Sequence, residues 1–158
     1  MCLYETSVSK EVEYVLELTK AVFVIAQDQE QVDKIIEIKS KIPQVRNVIF
    51  IESKGMRGYV KDPWFLHIEE LLSMGKEFEN KEPELFEKNL WEVKPDDICQ
   101  LTMTSGTTKL PKFAMLTYRN FIKMILGITG VDPIEEGDDY LSFISPGLES
   151  NGLLPWPR

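Results

Sequence analysis

Residues 101–120 read L-T-M-T-S-G-T-T-K-L-P-K-F-A-M-L-T-Y-R-N, and this stretch decides how the whole chain is interpreted. An apolar segment with Ile98, Leu101 and Met103 predicts a strand that leads directly into a run of hydroxyl side chains. Open α/β sheets bind ligands at the carboxyl ends of their strands, and consecutive backbone N–H groups in a glycine-containing turn attract anions. The stretch therefore predicts a phosphate-binding loop whose binding residues are Thr104, Ser105, Gly106, Thr107, Thr108 and Lys112.

Two common phosphate motifs do not match this stretch. The G-x-x-x-x-G-K-[ST] loop needs a second glycine before its lysine, and the G-x-G-x-x-G loop needs three glycines, whereas residues 101–120 contain only Gly106. From the residues alone, a polar hairpin turn between two strands remains the alternative interpretation. A generic dinucleotide-binding domain is disfavoured because the loop has a single glycine.

The stretch closely resembles the phosphate-binding signature of the adenylate-forming superfamily, usually T-S-G-T-T-G-x-P-K-G followed by T-H-x-N. Three positions depart from that pattern: Lys109 and Phe113 stand where the family usually has glycine, and Tyr118 stands where it often has histidine. A Cβ atom at position 109 disfavours a left-handed backbone there. The positions that match are Thr104 to Thr108, Pro111, Lys112, Thr117 and Asn120.

Within that superfamily the chain is most similar to the long-chain fatty acyl-CoA synthetases. The similarity rests on Y-E-T-S at 4–7, A-Q-D-Q-E-Q-V-D-K at 26–34 and D-D-Y-L-S-F at 138–143. The resemblance implies that residues 1–158 are part of the large amino-terminal AMP-binding domain. Residues 96–120 would then form a strand, the phosphate loop and the start of the following helix, and residues 147–158 depart from the family pattern as a divergent or truncated end.

The resemblance also implies a reaction in two halves. A carboxylate is first joined to AMP with release of pyrophosphate, and the acyl group then passes to the thiol of coenzyme A. The expected ligands are ATP and a fatty acid, with Mg²⁺ and coenzyme A for the complete enzyme, and the predicted loop would contact the β- and γ-phosphates. Catalytic residues remain unassigned, because the family's adenine, ribose and Mg²⁺ segments and its catalytic lysine follow later in the sequence. We therefore expect a fragment that catalyses neither half-reaction alone; the alternative is an inactive α/β module that binds a nucleotide or a partner protein.

Composition narrows the classes of partner. The chain has 158 residues and a net charge of -8, which argues against nucleic-acid binding because that needs a clustered basic surface. Cys2 and Cys99 lack metal-ligand spacing, and the adjacent Asp138 and Asp139 are interpreted as a turn, so no metal site is predicted. No signal peptide or membrane-spanning stretch is present in the sequence, so a cytoplasmic location is expected, and peripheral attachment to a membrane is left open.

Hydrophobic periodicity predicts an α/β fold with a mostly parallel sheet and helices on both faces. The continuous apolar run at 21–26 predicts a central strand buried on both faces, and 45–51 predicts the next strand of a β-α-β unit. Trp64 is predicted to pack as an anchor and His67 to have a structural or solvent-facing role. The other predictions are helices at 7–19, from Asp28 to about Ser40, at 65–78 and from Thr117 to Gly130, and strands beginning at Ile98, at 113–116 and at 140–144.

Overall fold

The computed structural model describes residues 1–104, 112–131, 133, 137 and 138. The chain divides into two compact units: Tyr4–Lys88, called here the sheet unit, and Met1–Leu3 with Asn89–Arg158, called the hairpin unit. The predicted strand at 140–144 and the segment 147–158 lie outside the described residues. In chain order the helices and strands are α1 (Ser9–Thr19), β1 (Phe23–Ala26), α2 (Gln29–Glu37), β2 (Asn47–Phe50), β3 (Phe65–His67), α3 (Ile68–Lys81), α4 (Leu85–Glu92), β4 (Ile98–Thr104), β5 (Lys112–Thr117) and α5 (Tyr118–Val131).

The sheet unit contains a three-stranded parallel sheet in the order β1-β2-β3. The β1-α2-β2 crossover confirms the predicted β-α-β unit and the α/β fold class. The prediction that the first strand is central and buried on both faces is wrong, because β1 lies at an edge of this sheet. Phe23 and Ile25 project from its open face with 59% and 65% of their surface exposed, whereas Val48, Ile49 and Phe50 of the central strand β2 are buried.

The third strand was not predicted. Residues 65–78 were expected to be helical throughout, but Phe65–His67 pair with β2 and the helix begins at Ile68. Phe65 is 8% exposed and lies opposite Val48 in the sheet. A strand of three residues is too short to show an alternating pattern, so the helical periodicity that follows it dominates the sequence signal.

The helix starts in the sheet unit confirm one predicted boundary and correct another. The Asp28 carboxylate accepts a hydrogen bond from the Gln31 N–H at 3.1 Å, as predicted for the start of α2. Helix α1 begins at Ser9, two residues after the predicted start at position 7, and the Glu11 carboxylate accepts a bond from the Val8 N–H at 3.3 Å. Helix α2 ends at Glu37, and a turn of 3-10 helix at Lys39–Lys41 leads to Pro43.

Trp64 packs as the predicted anchor. Its indole N–H donates to the Val45 carbonyl at 2.9 Å, and the Lys39 ammonium lies 4.3 Å from the centre of its ring. The surrounding core is formed by apolar residues of the helices and strands between positions 12 and 65. Its members are Val12, Val15, Leu16, Ala26, Val32, Ile35, Ile38, Ile42, Val45, Val48, Ile49, Phe50, Met56 and Phe65. None of the helices in the described ranges is long and apolar enough to cross a membrane.

Candidate functional site

The predicted phosphate-binding stretch lies on an antiparallel hairpin. Strands β4 and β5 pair from Ile98 opposite Thr117 to Thr104 opposite Lys112, which confirms the predicted returning strand. Two of the predicted binding residues, Thr104 and Lys112, are thus directly opposite each other at the loop end of the ladder. The other four, which are Ser105, Gly106, Thr107 and Thr108, lie outside the described residues, as does Lys109.

The hairpin has two chemically different faces, because side chains alternate along each strand. Leu101 and Met103 share one face with their partners Met115 and Phe113. On the other face are Gln100, Thr102, Thr104, Ala114, Leu116 and Lys112. The bulky Phe113, which replaces the family's usual glycine, therefore lies on the opposite face from Thr104 and Lys112.

At the loop end of the ladder, the face that carries Gln100 and Thr102 ends in the pair Thr104 and Lys112, which is called here the neck. The Thr104 hydroxyl donates to the Lys112 backbone carbonyl at 3.3 Å, and both residues are exposed. On the same face of β4, Thr102 lies two residues before Thr104, and its hydroxyl accepts a hydrogen bond from the Gln100 side-chain amide at 3.1 Å. Among the described residues no carboxylate lies within ion-pair distance of the Lys112 ammonium.

The foot of the hairpin is closed by contacts between the turn at 94–97 and the start of α5. In the turn, the Lys94 N–H donates to the Asp97 carboxylate at 2.8 Å. The chain entering α5 then bonds back to this turn, from the Tyr118 N–H to the Asp97 carbonyl at 3.2 Å and from the Arg119 N–H to the Pro95 carbonyl at 2.8 Å. Two of the first N–H groups of α5, which have no partner within a helix, are satisfied in this way.

An ion pair joins the same two segments. The Arg119 guanidinium donates two hydrogen bonds to the Asp96 carboxylate, from Nε at 2.7 Å and from Nη2 at 2.8 Å. This two-point contact holds the pKa of the Asp96 carboxyl below its ordinary value, with a smaller contribution from the charge of Lys123, and raises the pKa of Arg119. Both side chains are exposed, so solvent weakens the pair but leaves its geometry specific.

The first turn of α5 is capped by the predicted residue. The Asn120 N–H donates to the Thr117 hydroxyl at 3.3 Å, and the Asn120 side chain accepts from the Thr117 N–H at 2.9 Å. This reciprocal arrangement is a capping box in which asparagine takes the usual place of glutamate. The helix ends at Val131, one residue beyond the predicted stop at Gly130.

Sequence analysis missed the roles of Asp96 and Arg119. Residue 96 was placed only at the start of the predicted 96–120 segment, and Arg119 was an unconstrained position between the matched residues Thr117 and Asn120. The T-x-x-N pattern at 117–120 was a usable signal, because a capping box fixes where a helix begins and so which basic side chain lies in its first turn. The partner on the other strand could not be identified before the strand register was known.

A second polar cluster lies at the carboxyl ends of β2 and β3, where α/β sheets often bind ligands. The Ser53 hydroxyl and His67 Nε2 are 3.0 Å apart, and His67 Nδ1 accepts a bond from the Glu69 N–H at 3.2 Å. Because Nδ1 is the acceptor, the proton of the neutral ring is assigned to Nε2, which donates to Ser53. His67 is therefore arranged to cap α3 and not to remove a proton from Ser53, which confirms its predicted structural role.

We next consider metal sites and reactive cysteines among the residues that the structure describes. They contain no group of three or more acidic, histidine or cysteine side chains placed to hold a metal ion. Cys2 is an exposed free thiol, and the partly buried Cys99 thiol donates to the Leu116 carbonyl at 3.3 Å. Of the two adjacent aspartates, Asp138 is described and Asp139 lies outside the described residues.

Comparison with known proteins gives consistent matches. The family model described as AMP-binding enzyme matches residues 1–148. A long-chain-fatty-acid–CoA ligase of Bos taurus is 31% identical over 75% of this chain and 15% of its own length. A ligase of the same description from Mycobacterium bovis is 26% identical over 90% of this chain and 22% of its own length. The chain thus spans about a fifth or less of these relatives.

The fold also matches a solved structure. That protein is an anthranilate–CoA ligase in complex with anthranoyl-AMP, and the match has a TM-score of 0.54 at 20% identity. It covers 82% of this chain and 22% of the solved one.

Proposed function

The chain belongs to the AMP-binding enzyme family, and from this membership we propose that it supplies the phosphate-binding hairpin of an ATP-dependent acyl-CoA ligase. The proposed reaction begins with attack of a carboxylate oxygen on the α-phosphorus of ATP, and pyrophosphate leaves. The coenzyme A thiol, losing its proton, then attacks the acyl carbon, and AMP leaves. A long-chain fatty acid is the proposed acyl donor, because relatives from vertebrates and mycobacteria are described as ligases for that class.

The neck of the hairpin is the observation that carries this proposal. Thr104 and Lys112 lie on opposite strands at the two ends of the loop, where the Lys112 cation suits a polyphosphate. The single O–H of Thr104 donates to the Lys112 carbonyl in this structure and would rotate to a phosphate oxygen on binding. We propose that Thr104, Ser105, Gly106, Thr107 and Thr108 bind the β- and γ-phosphates through hydroxyl and N–H donors, and that Lys112 neutralises their charge.

The proposed reaction also uses Mg²⁺ and coenzyme A, but we assign no residue of this chain to either of them. Magnesium usually keeps several waters and binds through few carboxylates together with substrate phosphates. The described residues provide no ready-made cluster of acidic ligands, so we assign none of them to the ion. We propose that Mg²⁺ arrives with the triphosphate. No residue of this chain is assigned to coenzyme A, and the cytoplasmic location and any peripheral membrane contact remain sequence predictions.

The division of the chain follows from the proposed function. We propose that residues 1–158 are part of one AMP-binding domain, in which the sheet unit is scaffold and residues 96–120 form the phosphate-binding segment. The family model extends to residue 148, close to the point at which the resemblance was predicted to end. Residues 147–158 remain a predicted divergent or truncated end.

The test is a titration of the purified 158-residue chain with MgATP, followed by NMR chemical-shift changes. We expect Lys112→Ala to weaken binding roughly tenfold, because a charge-assisted hydrogen bond contributes about 1.5–3 kcal/mol. Lys88→Ala, which removes the same charge from an exposed position on α4, is the matched control and should bind as the wild type does. Equal affinities for the wild type and Lys112→Ala would refute the assignment.

A second candidate, an inactive nucleotide- or partner-binding module, is favoured by the lysine at position 109. If the side chain at 109 distorts the loop, Lys109→Gly should strengthen ATP binding several-fold by allowing a left-handed backbone. An unchanged affinity would show that Lys109 does not limit binding. We expect no acyl-CoA product from the 158-residue chain in either case, and measurable product would favour the ligase over the module.

A further inference from the structure

The position of Lys112 depends on how β5 is aligned with β4. Side chains alternate between the faces of a strand, so a slip of one residue in β5 would move Lys112 to the face opposite Thr104. The phosphate-binding neck therefore exists only in the observed register. What fixes that register is a functional question for this hairpin.

Burial of apolar side chains does not fix the register strongly. Among the described residues of the hairpin unit, Thr102 is the buried side chain, and Met115 on the apolar face is 65% exposed. The ladder is also irregular at its foot, where the pairing shifts between Ile98 and Gln100. Strands without a well-buried face are prone to slip, so another contact has to specify the alignment.

We propose that Asp96 and Arg119 form a positioning pair that fixes the register of β4 and β5, and so places Lys112 opposite Thr104. Asp96 stands just before β4 and Arg119 just after β5, so their two-point contact ties the strands together at the foot. A slip of one residue displaces a strand by about 3.3 Å, which would break both bonds of the pair. This inference rests on the proposed function of the neck.

Arg119 acts through the strands and not on the phosphates. Two of its side-chain nitrogens are engaged by Asp96, and its own backbone N–H and that of Tyr118 bond to the turn at 94–97. It lies at the Ile98–Thr117 end of the ladder, whereas the neck lies at the Thr104–Lys112 end. Six residues of extended chain separate these ends by roughly 20 Å.

The experiment compares Asp96→Asn, Arg119→Gln, the double variant and the exchanged pair D96R/R119D in the 158-residue chain. Two quantities are measured: MgATP affinity by NMR titration, and hydrogen exchange of the β4 and β5 amides. We expect each single variant to lose about three- to tenfold in affinity and to exchange faster near the neck. The double variant should lose no more than either single one, and the exchanged pair should recover part of the loss.

Lys123→Gln is the matched control, because it removes the same charge from α5 one turn later without a bond to Asp96. It should bind MgATP as the wild type does. If Arg119 instead contacted the phosphates directly, Asp96→Asn would keep or improve affinity while Arg119→Gln lost it, and the inference would be overturned.

Failure of the inference differs from failure of the proposed function. Unchanged amide exchange in β4 and β5 of both single variants overturns the positioning role, whatever the affinities. The wild type and Lys112→Ala could instead bind ATP equally while the β4 and β5 amides still exchange faster in the single variants. That result would support the role of the pair in fixing the register and would refute the phosphate-binding function.

Discussion

Different interactions stabilise the sheet unit and the hairpin unit internally. Every apolar side chain that is buried among the described residues belongs to the sheet unit, whose central strand β2 has Val48 at 0% exposure. In the described part of the hairpin unit the buried side chain is the polar Thr102, and helix α5 exposes 52% of Ile122 and 65% of Leu126. Apolar burial is non-directional, whereas hydrogen bonds and ion pairs fix geometry. The structure of the sheet unit is therefore determined mainly by the packing of apolar side chains. The geometry of the candidate site is determined by a few hydrogen bonds and one ion pair.

The largest expected difference comes from shortening one isoleucine in each unit. Ile42→Ala removes a side chain that is 1% exposed and should cost about 2–5 kcal/mol through lost burial and the remaining cavity. Ile122→Ala, the same change at a 52% exposed position, should change stability by less than about 1 kcal/mol. Amide exchange in β2 and in α5, measured against urea, reports the two effects separately. Equal losses would remove the contrast between the units.

A glycine in the sheet unit provides the second test. Gly55 has φ +81°, and a Cβ atom there would overlap the Gln29 side chain. Gly55→Ala should therefore destabilise the unit by about 1–3 kcal/mol, measured by urea unfolding. Gly58→Ala, where no heavy atom lies within 4 Å of the added Cβ, is the control and should change little. A neutral Gly55→Ala would mean that this loop is loosely held and that tight packing is confined to the core.

The third test removes one directional contact from the hairpin unit. Thr117→Ala deletes the N-cap of α5 and should cost about 1 kcal/mol, seen as faster amide exchange in the first turn of the helix. In the part of the chain that the structure describes, the Thr129 hydroxyl bonds only to the Ile125 carbonyl one turn earlier, so Thr129→Ala should be nearly neutral. If both variants behaved alike, the cap would not contribute to holding the foot of the hairpin.

The smallest effect is a pH dependence that compares one carboxylate from each unit. The pKa of Asp62 is lowered first by its bond from Lys39 and then by the Trp64 N–H, whereas the pKa of Asp96 is lowered chiefly by Arg119. Each contribution to stability is present above the ordinary aspartate pKa and is lost as pH falls through the lowered value. Asp62 is partly exposed and Asp96 is largely exposed, so the effects should be weak and should shrink in salt.

Titration of the carboxyl carbons by NMR checks this difference. In Arg119→Gln the pKa of Asp96 should return most of the way to its ordinary value. In Lys39→Met the pKa of Asp62 should return only in part, because the Trp64 N–H bond at 2.9 Å remains. The prediction fails if neither pKa rises when its cation is removed.

Much of the fold could be predicted because its signals are local. The cap at Asp28, the β-α-β order and the strand ending at Thr104 follow from residue type and spacing. The edge position of β1 could not be predicted, because a continuous apolar run does not reveal whether a neighbouring strand or helix covers each face. Phe23 and Ile25 have the composition of a buried strand but lie on an open face.

The candidate site was predictable only where a motif covers it. Thr104 and Lys112 were found from the loop pattern, and the structure adds that they face each other across the hairpin. The contact between Asp96 and Arg119 joins positions 23 residues apart, and no sequence period links them. It depends on strand register, which is a property of the folded ladder and not of either segment.

The setting of Trp64 has an optical consequence. Its indole is half-buried, donates to the Val45 carbonyl and has the Lys39 ammonium 4.3 Å from its ring centre, whereas Trp91 in the hairpin unit is 84% exposed. The third tryptophan, Trp156, lies outside the described residues. Emission from Trp64 should be blue-shifted and poorly accessible to a dissolved quencher, and emission from Trp91 should be red-shifted and readily quenched. A Trp156→Phe protein would therefore contain one tryptophan in each unit, and the wavelength of tryptophan emission would show which unit loosens first.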